Sequence, residues 1–223
     1  MALSPRWWYR ALFLLIPLLL IILAYPRLKS GIALEAAFPV PDYMTSDVPL
    51  PRDAYRAAAT ALSHVGKEDG RSKLLAAETT IFVGRDPLAV EQALRYALSR
   101  MPASARGWLV LAERLSFRDR KGAASALTRS LSLGSFESAL MGRQARLAAR
   151  LWDDLSDHPR RTVLRQVETL WATPLLRSEL SPLLAVDGGG DLIARAFLHS
   201  PKTHQAVIEW VDGHRQRTLG PRG

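Results

Sequence analysis

The residues of this chain whose types could carry chemistry do not stand at spacings that name a reaction. His64, His158, His199, His204 and His214 form no H-E-x-x-H or comparable ligand pattern, and there is no cysteine to complete a metal site. His199 and His204 flank Pro201 in a segment that reads as a loop joining two helices. Asp153, Asp154 and Asp157 lie beside Arg160 and Arg161, where local ion pairing accounts for them better than paired acid and base catalysis does. Gly188, Gly189, Gly190 and Asp191 precede a short helical pattern, and a glycine-rich turn opening a helix can cradle phosphate. No P-loop lysine and no G-x-G-x-x-G spacing accompany them, so the expectation is a flexible turn with Asp191 as N-cap. No G-x-S-x-G elbow marks a serine as a nucleophile. Catalytic, cofactor and metal residues are therefore none, and a non-enzymatic role is expected.

Binding chemistry is better represented. Arg143, Arg146 and Arg150 recur at three and four residues, which places them on one helix face. Arg160, Arg161 and Arg165 follow on the next helix. Were the two helices antiparallel neighbours, six guanidinium groups would form a patch suited to carboxylates, phosphates or anionic glycans, each held through paired donors. The formal net charge of +9 points the same way, although 25 of the 30 basic residues are Arg in an Ala- and Leu-rich chain, a bias that also follows from a GC-rich bacterial gene. Nucleic acid is not expected as a partner, since its recognition asks for a cytoplasmic body and exposed aromatics.

One element must position whatever the body does. Trp7 to Tyr25, WWYRALFLLIPLLLIILAY, is an almost unbroken apolar run of about 19 residues, which as a helix reaches roughly 28 Å and matches a bilayer core. Trp7, Trp8, Tyr9 and Tyr25 sit at its ends as interface anchors, and Arg6, Arg10, Arg27 and Lys29 bracket it. A cleaved signal would end in small residues at an A-x-A-like site. Here Ala24-Tyr25-Pro26-Arg27 follows, so a retained signal anchor is expected, with Pro17 tolerated inside it. The stretch from Ser30 to Pro51 carries Glu35, Asp42 and Asp47 but no Lys or Arg, and crosses easily. Residues 1–30 thus read as a cytoplasmic tail and single span in a bacterial inner membrane, with the C-terminal body periplasmic. Absence of cysteine is compatible with that compartment without requiring it.

Pro39, Pro41, Pro49 and Pro51 make residues 31–51 a stalk. Residues 52–217 read as one all-α domain and residues 218–223 as a flexible tail, because helix formers dominate and apolar residues recur at three and four rather than alternating. Helices are expected at about Arg52 to Val65, Ser72 to Val83, Pro87 to Arg100, Ala105 to Phe117, Lys121 to Leu133, Phe136 to Leu155, Arg160 to Ala172, Leu175 to Leu184, Leu192 to Leu198 and Lys202 to Arg215. Asp86 before Pro87 supplies an N-cap acceptor ahead of a proline at the first helical position. Pro102, Pro159, Pro174 and Pro201 fall between helices. Thr79 to Val83 alone has strand-like propensity.

The chain also repeats itself. A shift of about 34 residues pairs Leu74 with Trp108, Ala77 with Leu111 and Ile81 with Leu115. In that frame Leu74, Ala77, Ile81, Val90, Leu94, Ala97 and Pro102 mark one unit from Arg71 to Ser104. Trp108, Leu111, Ala112, Leu115, Ala123, Ala124 and Leu127 mark a second from Ala105 to Glu137. With these residues the segment resembles two tetratricopeptide repeats, departing at Glu78, where a small residue is usual, and in a one-residue shift within the second unit. The resemblance implies paired helices and a surface that binds other proteins, with the flanking helices as caps. The expected function is a membrane-anchored adaptor for envelope or inner-membrane proteins, with surface-polysaccharide assembly and export as the process suggested by analogy. Its alternative is a structural accessory subunit of a larger membrane complex, respiratory, photosynthetic or secretory. An envelope enzyme acting on glycan would need a carboxylate cleft that the sequence does not locate.

Overall fold

The computed structural model describes residues 15–22, 24, 25, 28, 31, 32, 51–63, 70–84 and 86–219, and every regular element among them is helical. Trp7, Trp8, Tyr9, residues 33–50 of the stalk expected at 31–51, His64 and the last four residues lie outside the described set. Of the apolar run, residues 15–22 are helical, and Leu15, Ile16, Leu18, Leu19, Leu20, Ile21, Ile22 and Tyr25 are all exposed. Among the described residues no helix is long and apolar enough to cross a membrane.

The chain divides into two compact units, Met1–Met101 and Pro102–Gly223, so the border falls inside the stretch whose periodicity suggests one helical domain. In the first unit, α1 (Arg52–Ser63) buries Tyr55, Ala58 and Leu62, spaced three and four apart, and packs on α2 (Gly70–Val83). Tyr55 stacks on Phe82 with ring centroids 4.6 Å apart. α2 also packs on α3 (Pro87–Arg100), and its burial on both sides leaves it without a polar face. Its strand-like end, Thr79 to Val83, is helix. There the Thr79 and Thr80 hydroxyls donate to the carbonyls of Ala76 and Ala77 at 2.8 and 2.7 Å, a bond that lets β-branched threonine settle in a helix. Gly84, at φ 80°, ends α2 where other residues would be strained. Asp86 accepts from the Leu88 amide at 3.2 Å, as the Asp-Pro pair implies.

The second unit opens with α4 (Ala105–Leu115), capped by Ser104, whose hydroxyl accepts from the Gly107 amide at 3.1 Å. α5 (Arg120–Gly134) is capped by Asp119, which accepts from Gly122 at 2.9 Å. α4 and α5 pack closely, and α5 lies on α6 (Ser138–Arg150), which packs on α7 (Asp157–Ala172). Two 3-10 turns, Trp152–Asp154 and Pro174–Leu180, and the helices α8 (Ser181–Leu184), α9 (Gly189–Ala196) and α10 (Pro201–Leu219) complete it. The helix expected to run to Leu155 therefore stops at Arg150, and the one expected from Leu175 is mostly 3-10.

Helical hairpins recur at nearly the expected period. α2 starts at Gly70 and α4 at Ala105, while α3 starts at Pro87 and α5 at Arg120. The fold of this region is thus helical-repeat-like. Leu94, Ala97, Leu111, Ala112, Ala123 and Leu127 are all buried, which is what a repeat asks of its signature positions. Trp108 departs. It is half-buried, its Nε1 donates to the Pro102 carbonyl at 2.8 Å, and Arg129 lies 5.6 Å above its ring. Glu78, at the position where a small residue was expected, is buried.

A buried polar chain ties α4, α5, α6 and α7. Ser130 donates to the Ala105 carbonyl at 2.9 Å, Gln144 Nε2 to Ser130 Oγ at 2.9 Å, and Gln166 Nε2 to Gln144 Oε1 at 2.6 Å and to the Ser135 carbonyl. Gln166 Oε1, also buried, has no partner among the described residues.

Candidate functional site

A recess lies between α4 and α6. α4 turns Leu109, Leu111, Ala112 and Leu115 inward, so its last turn leaves Glu113, Arg114 and then Phe117 facing outward. Across from them α6 buries Met141, Ala145, Ala148 and Ala149, which puts Arg143, Arg146 and Arg150 on the opposite side of the helix. The two faces enclose a groove of about 360 Å³, completed by Ser116 and Leu147.

Arg143 grips Glu113 with both arms of its fork, Nε to Oε1 at 3.1 Å and Nη2 to Oε2 at 2.7 Å, with both side chains half-buried. This is the bidentate geometry that makes guanidinium a carboxylate receptor. Partial burial pulls the Arg114 guanidinium below its ordinary value, since desolvation penalises its charge, while neighbouring Glu113 opposes the shift. Ser116 turns its hydroxyl back onto the Glu113 carbonyl at 2.8 Å. Phe117 is 83% exposed. Four arginines and one glutamate thus line a recess with an aromatic ring at its rim.

The six-arginine patch divides. Arg143, Arg146 and Arg150 share the groove, as their spacing implies, whereas Arg160, Arg161 and Arg165 do not line it. Arg160 lies 5.4 Å over the Trp152 ring and donates to the Trp152 carbonyl at 3.0 Å, and Arg161 and Arg165 are exposed on α7. Arg195 also lies over the Trp152 ring, at 5.5 Å. Arg114 and Phe117 join the groove without a sequence signal beyond their place at the end of an otherwise buried amphipathic helix.

The carboxylates and glycines weighed against catalytic and phosphate-binding roles take structural ones. Asp154 is held by Arg120 of α5, at 2.9 Å from Nε and 2.8 Å from Nη2, rather than by Arg160 or Arg161; Asp157 pairs locally with Arg160 at 3.8 Å. Asp191 is not the N-cap of α9. Gly188 holds that position at φ 76°, and a Cβ on Gly189 would meet the Leu183 carbonyl oxygen at 1.9 Å. These glycines are there for close backbone packing, which leaves no cradle for phosphate at Gly189. His199 Nε2 lies 3.9 Å from Glu168, and His214 stacks on Trp210 with centroids 4.1 Å apart. Among the described residues no group of three His, Asp or Glu side chains could hold a metal ion. A smaller apolar hollow of about 160 Å³ in the first unit lies between α2 and α3, lined by Ala76, Ala77, Thr80, Val90, Ala93 and Tyr96 among others.

No protein-family model matches the chain, and no curated protein matches it. Among solved structures, the crystal structure of MamA protein is similar over 86% of this chain and 90% of its own, at 12% sequence identity and a TM-score of 0.47.

Proposed function

We propose that the chain is a membrane-tethered, non-enzymatic adaptor whose helical-repeat body holds a partner protein in the groove between α4 and α6. The observation that carries this reading is the groove itself: a recess open to solvent, walled by Arg114, Arg143, Arg146 and Arg150, with Phe117 exposed at its edge. Arginine beside an exposed aromatic ring is a combination enriched where proteins bind each other, because both combine large contact area with directed donors. The tether is the run from Trp7 to Tyr25. Its exposed leucines and isoleucines at 15–22 form a surface suited to lipid rather than water. With the N-terminus cytoplasmic, the body faces the periplasm, and the partners belong to envelope assemblies such as those that build and export surface polysaccharide.

The test replaces Phe117 by a photoreactive phenylalanine in the full-length protein and irradiates native membranes. Recovery of a discrete partner from that position, absent when the reactive residue replaces exposed Leu198 instead, supports the adaptor. Labelling spread evenly over unrelated proteins refutes it. A reporter fused after Gly223 reads the side of the membrane.

The exposed apolar helix at 15–22 also favours a second reading, in which the chain is a structural subunit held laterally inside a larger membrane complex. Deleting residues 1–30 separates the two. The adaptor keeps its partner when soluble, whereas the subunit loses its assembly.

A further inference from the structure

The two helical hairpins of the chain differ at one place. Lys73 stands three residues after Gly70 in α2, as Trp108 does after Ala105 in α4, and Tyr96 stands nine after Pro87 in α3, as Arg129 does after Arg120 in α5. Burial supports this register, since Leu74 and Ala77 then fall on Leu109 and Ala112, and all four are buried. In the second hairpin the Trp108 indole leaves α4 and ends beneath Arg129 of α5, with the guanidinium 5.6 Å from its centroid, so one aromatic ring bridges the two helices. In the first, Lys73 takes the place of the indole, and a hollow of about 160 Å³ opens between α2 and α3. Its walls record the same exchange. Ala76 and Ala93 are only half-buried there, whereas their counterparts Leu111 and Ala126 are buried.

The chemistry of the hollow fits a ring. Alanine and valine side chains make most of its lining, and the Thr80 hydroxyl is turned back onto the Ala77 carbonyl at 2.7 Å. Lys73 and Tyr96 bring the remaining polar ends, and the Arg100 guanidinium lies 5.8 Å over the Tyr96 ring. Cations beside the space favour a π face over an aliphatic chain. The volume is close to the roughly 150 Å³ at which an apolar cavity accepts one benzene ring.

We infer that this hollow receives one aromatic side chain projecting from the partner protein, seated as Trp108 is seated in the second hairpin. An aromatic anchor in a fitted pocket is the usual form of an interface hot spot. That the ring comes from a protein rests on the adaptor reading. The hollow adds a contact within the first unit that does not involve the groove between α4 and α6.

Alanine-methyl NMR of the full-length protein in lipid nanodiscs tests the seat, with N-acetyl-tryptophanamide and N-acetyl-leucinamide as probes. Ring-current shifts at the Ala76, Ala77, Ala89 and Ala93 methyls are expected to saturate with the tryptophan probe at a Kd of about 1–10 mM, the scale of one side chain's contacts. The leucine probe is expected to bind roughly threefold more weakly, or worse. Lys73→Trp rebuilds the arrangement of the second hairpin, and is expected to show those shifts without probe and to weaken probe binding by roughly tenfold or more. Ala93→Leu fills the hollow from α3 and should weaken binding likewise, so one variant carries the test if circular dichroism shows the other unfolded. No saturable shift at these methyls, equal binding of the two probes, or full binding to a folded, plugged variant overturns the site. In native membranes, a photoreactive phenylalanine at exposed Ala89 is expected to crosslink a partner close to one of its aromatic residues, and links that map away from aromatics overturn the chemistry assigned to the partner. If Phe117 captures a discrete partner while the methyls stay unmoved, this contact is wrong and the adaptor stands. If the methyls respond while neither position captures a protein, the hollow takes a free aromatic ligand, and both the adaptor and the partner's ring are overturned.

Discussion

Gln166 donates to Gln144 across the α6 and α7 contact at 2.6 Å, and both amides are fully buried. Neither side chain reaches water, so each lost partner leaves a desolvated polar atom behind. Gln144 stands in the middle of the chain that runs from Ala105 to Ser135, accepting from one neighbour and donating to another. Gln144→Ala removes these bonds and a longer one from Nε2 to the Gly134 carbonyl at 3.4 Å, opens a cavity, and is expected to cost about 2–4 kcal/mol of unfolding free energy. Gln144→Leu and Gln166→Leu together should cost less than the sum of the single changes, with a coupling of about 0.5–3 kcal/mol. Urea titration followed by circular dichroism gives all the numbers, and strict additivity would show that the two amides do not act as a unit.

The glycines before α9 make a sharper prediction. Gly189→Ala puts a methyl group onto the Leu183 carbonyl at 1.9 Å, a backbone atom that cannot swing aside, whereas Gly188→Ala adds the strain of φ 76° and a tight but longer 3.3 Å contact with the Ala149 carbonyl oxygen. Gly188→Ala should cost about 1–2 kcal/mol. Gly189→Ala should cost clearly more, to the point of displacing α9 from Leu183. Thermal melting of the two variants ranks them, and the reverse order would refute the packing role.

Helix caps give small, specific losses. Asp119→Ala deprives the Gly122 amide of its acceptor and should cost about 1 kcal/mol, while Asp119→Asn retains the bond and should cost a few tenths. Ser104→Ala should match Asp119→Ala at the start of α4. A calorimeter resolves these differences, and equal losses for Ala and Asn would mean that Asp119 stabilises α5 by charge rather than by its hydrogen bond.

Glu113 and Arg143 should be unequal partners. Glu113→Gln keeps an acceptor for one arm of the fork and should lose less than about 1 kcal/mol. Arg143→Met leaves Glu113 half-buried without its clamp and should lose about 1–3 kcal/mol. The comparison is read by denaturant midpoint at fixed pH. A larger loss for Glu113→Gln would place the energetic weight on the carboxylate's other neighbours.

What the amino-acid pattern disclosed, and what it hid, divide by range. Asp86 before Pro87, Pro102 between helices, and Arg143, Arg146 and Arg150 at three- and four-residue steps are local statements that the folded chain keeps, whereas Pro159, expected between helices, lies in the first turn of α7, where a missing N–H forfeits no intrahelical bond. The helical period through Leu94, Ala97, Leu111 and Leu127 is likewise local, repeated. Contacts between residues far apart in sequence carry no such mark. Nothing near Glu113 announces Arg143, nor does Trp152 announce Arg195, and Asp154 looked to its neighbours although its partner is Arg120. Gln144 and Gln166 carry no local sign of burial, since amides usually lie at the surface. Burial of both is a tertiary result, stabilised by partners on other helices.

The indole of Trp108 binds the carbonyl of Pro102, so the second unit begins before its first helix does. A fragment that starts at Ala105 loses both that acceptor and the Ser104 cap, whereas one that starts at Pro102 carries its own N-terminal latch. Any exchange of this module between proteins, by recombination or at the bench, has its natural seam after Met101, and the proline that looks like a mere helix breaker travels with the module as one of its parts.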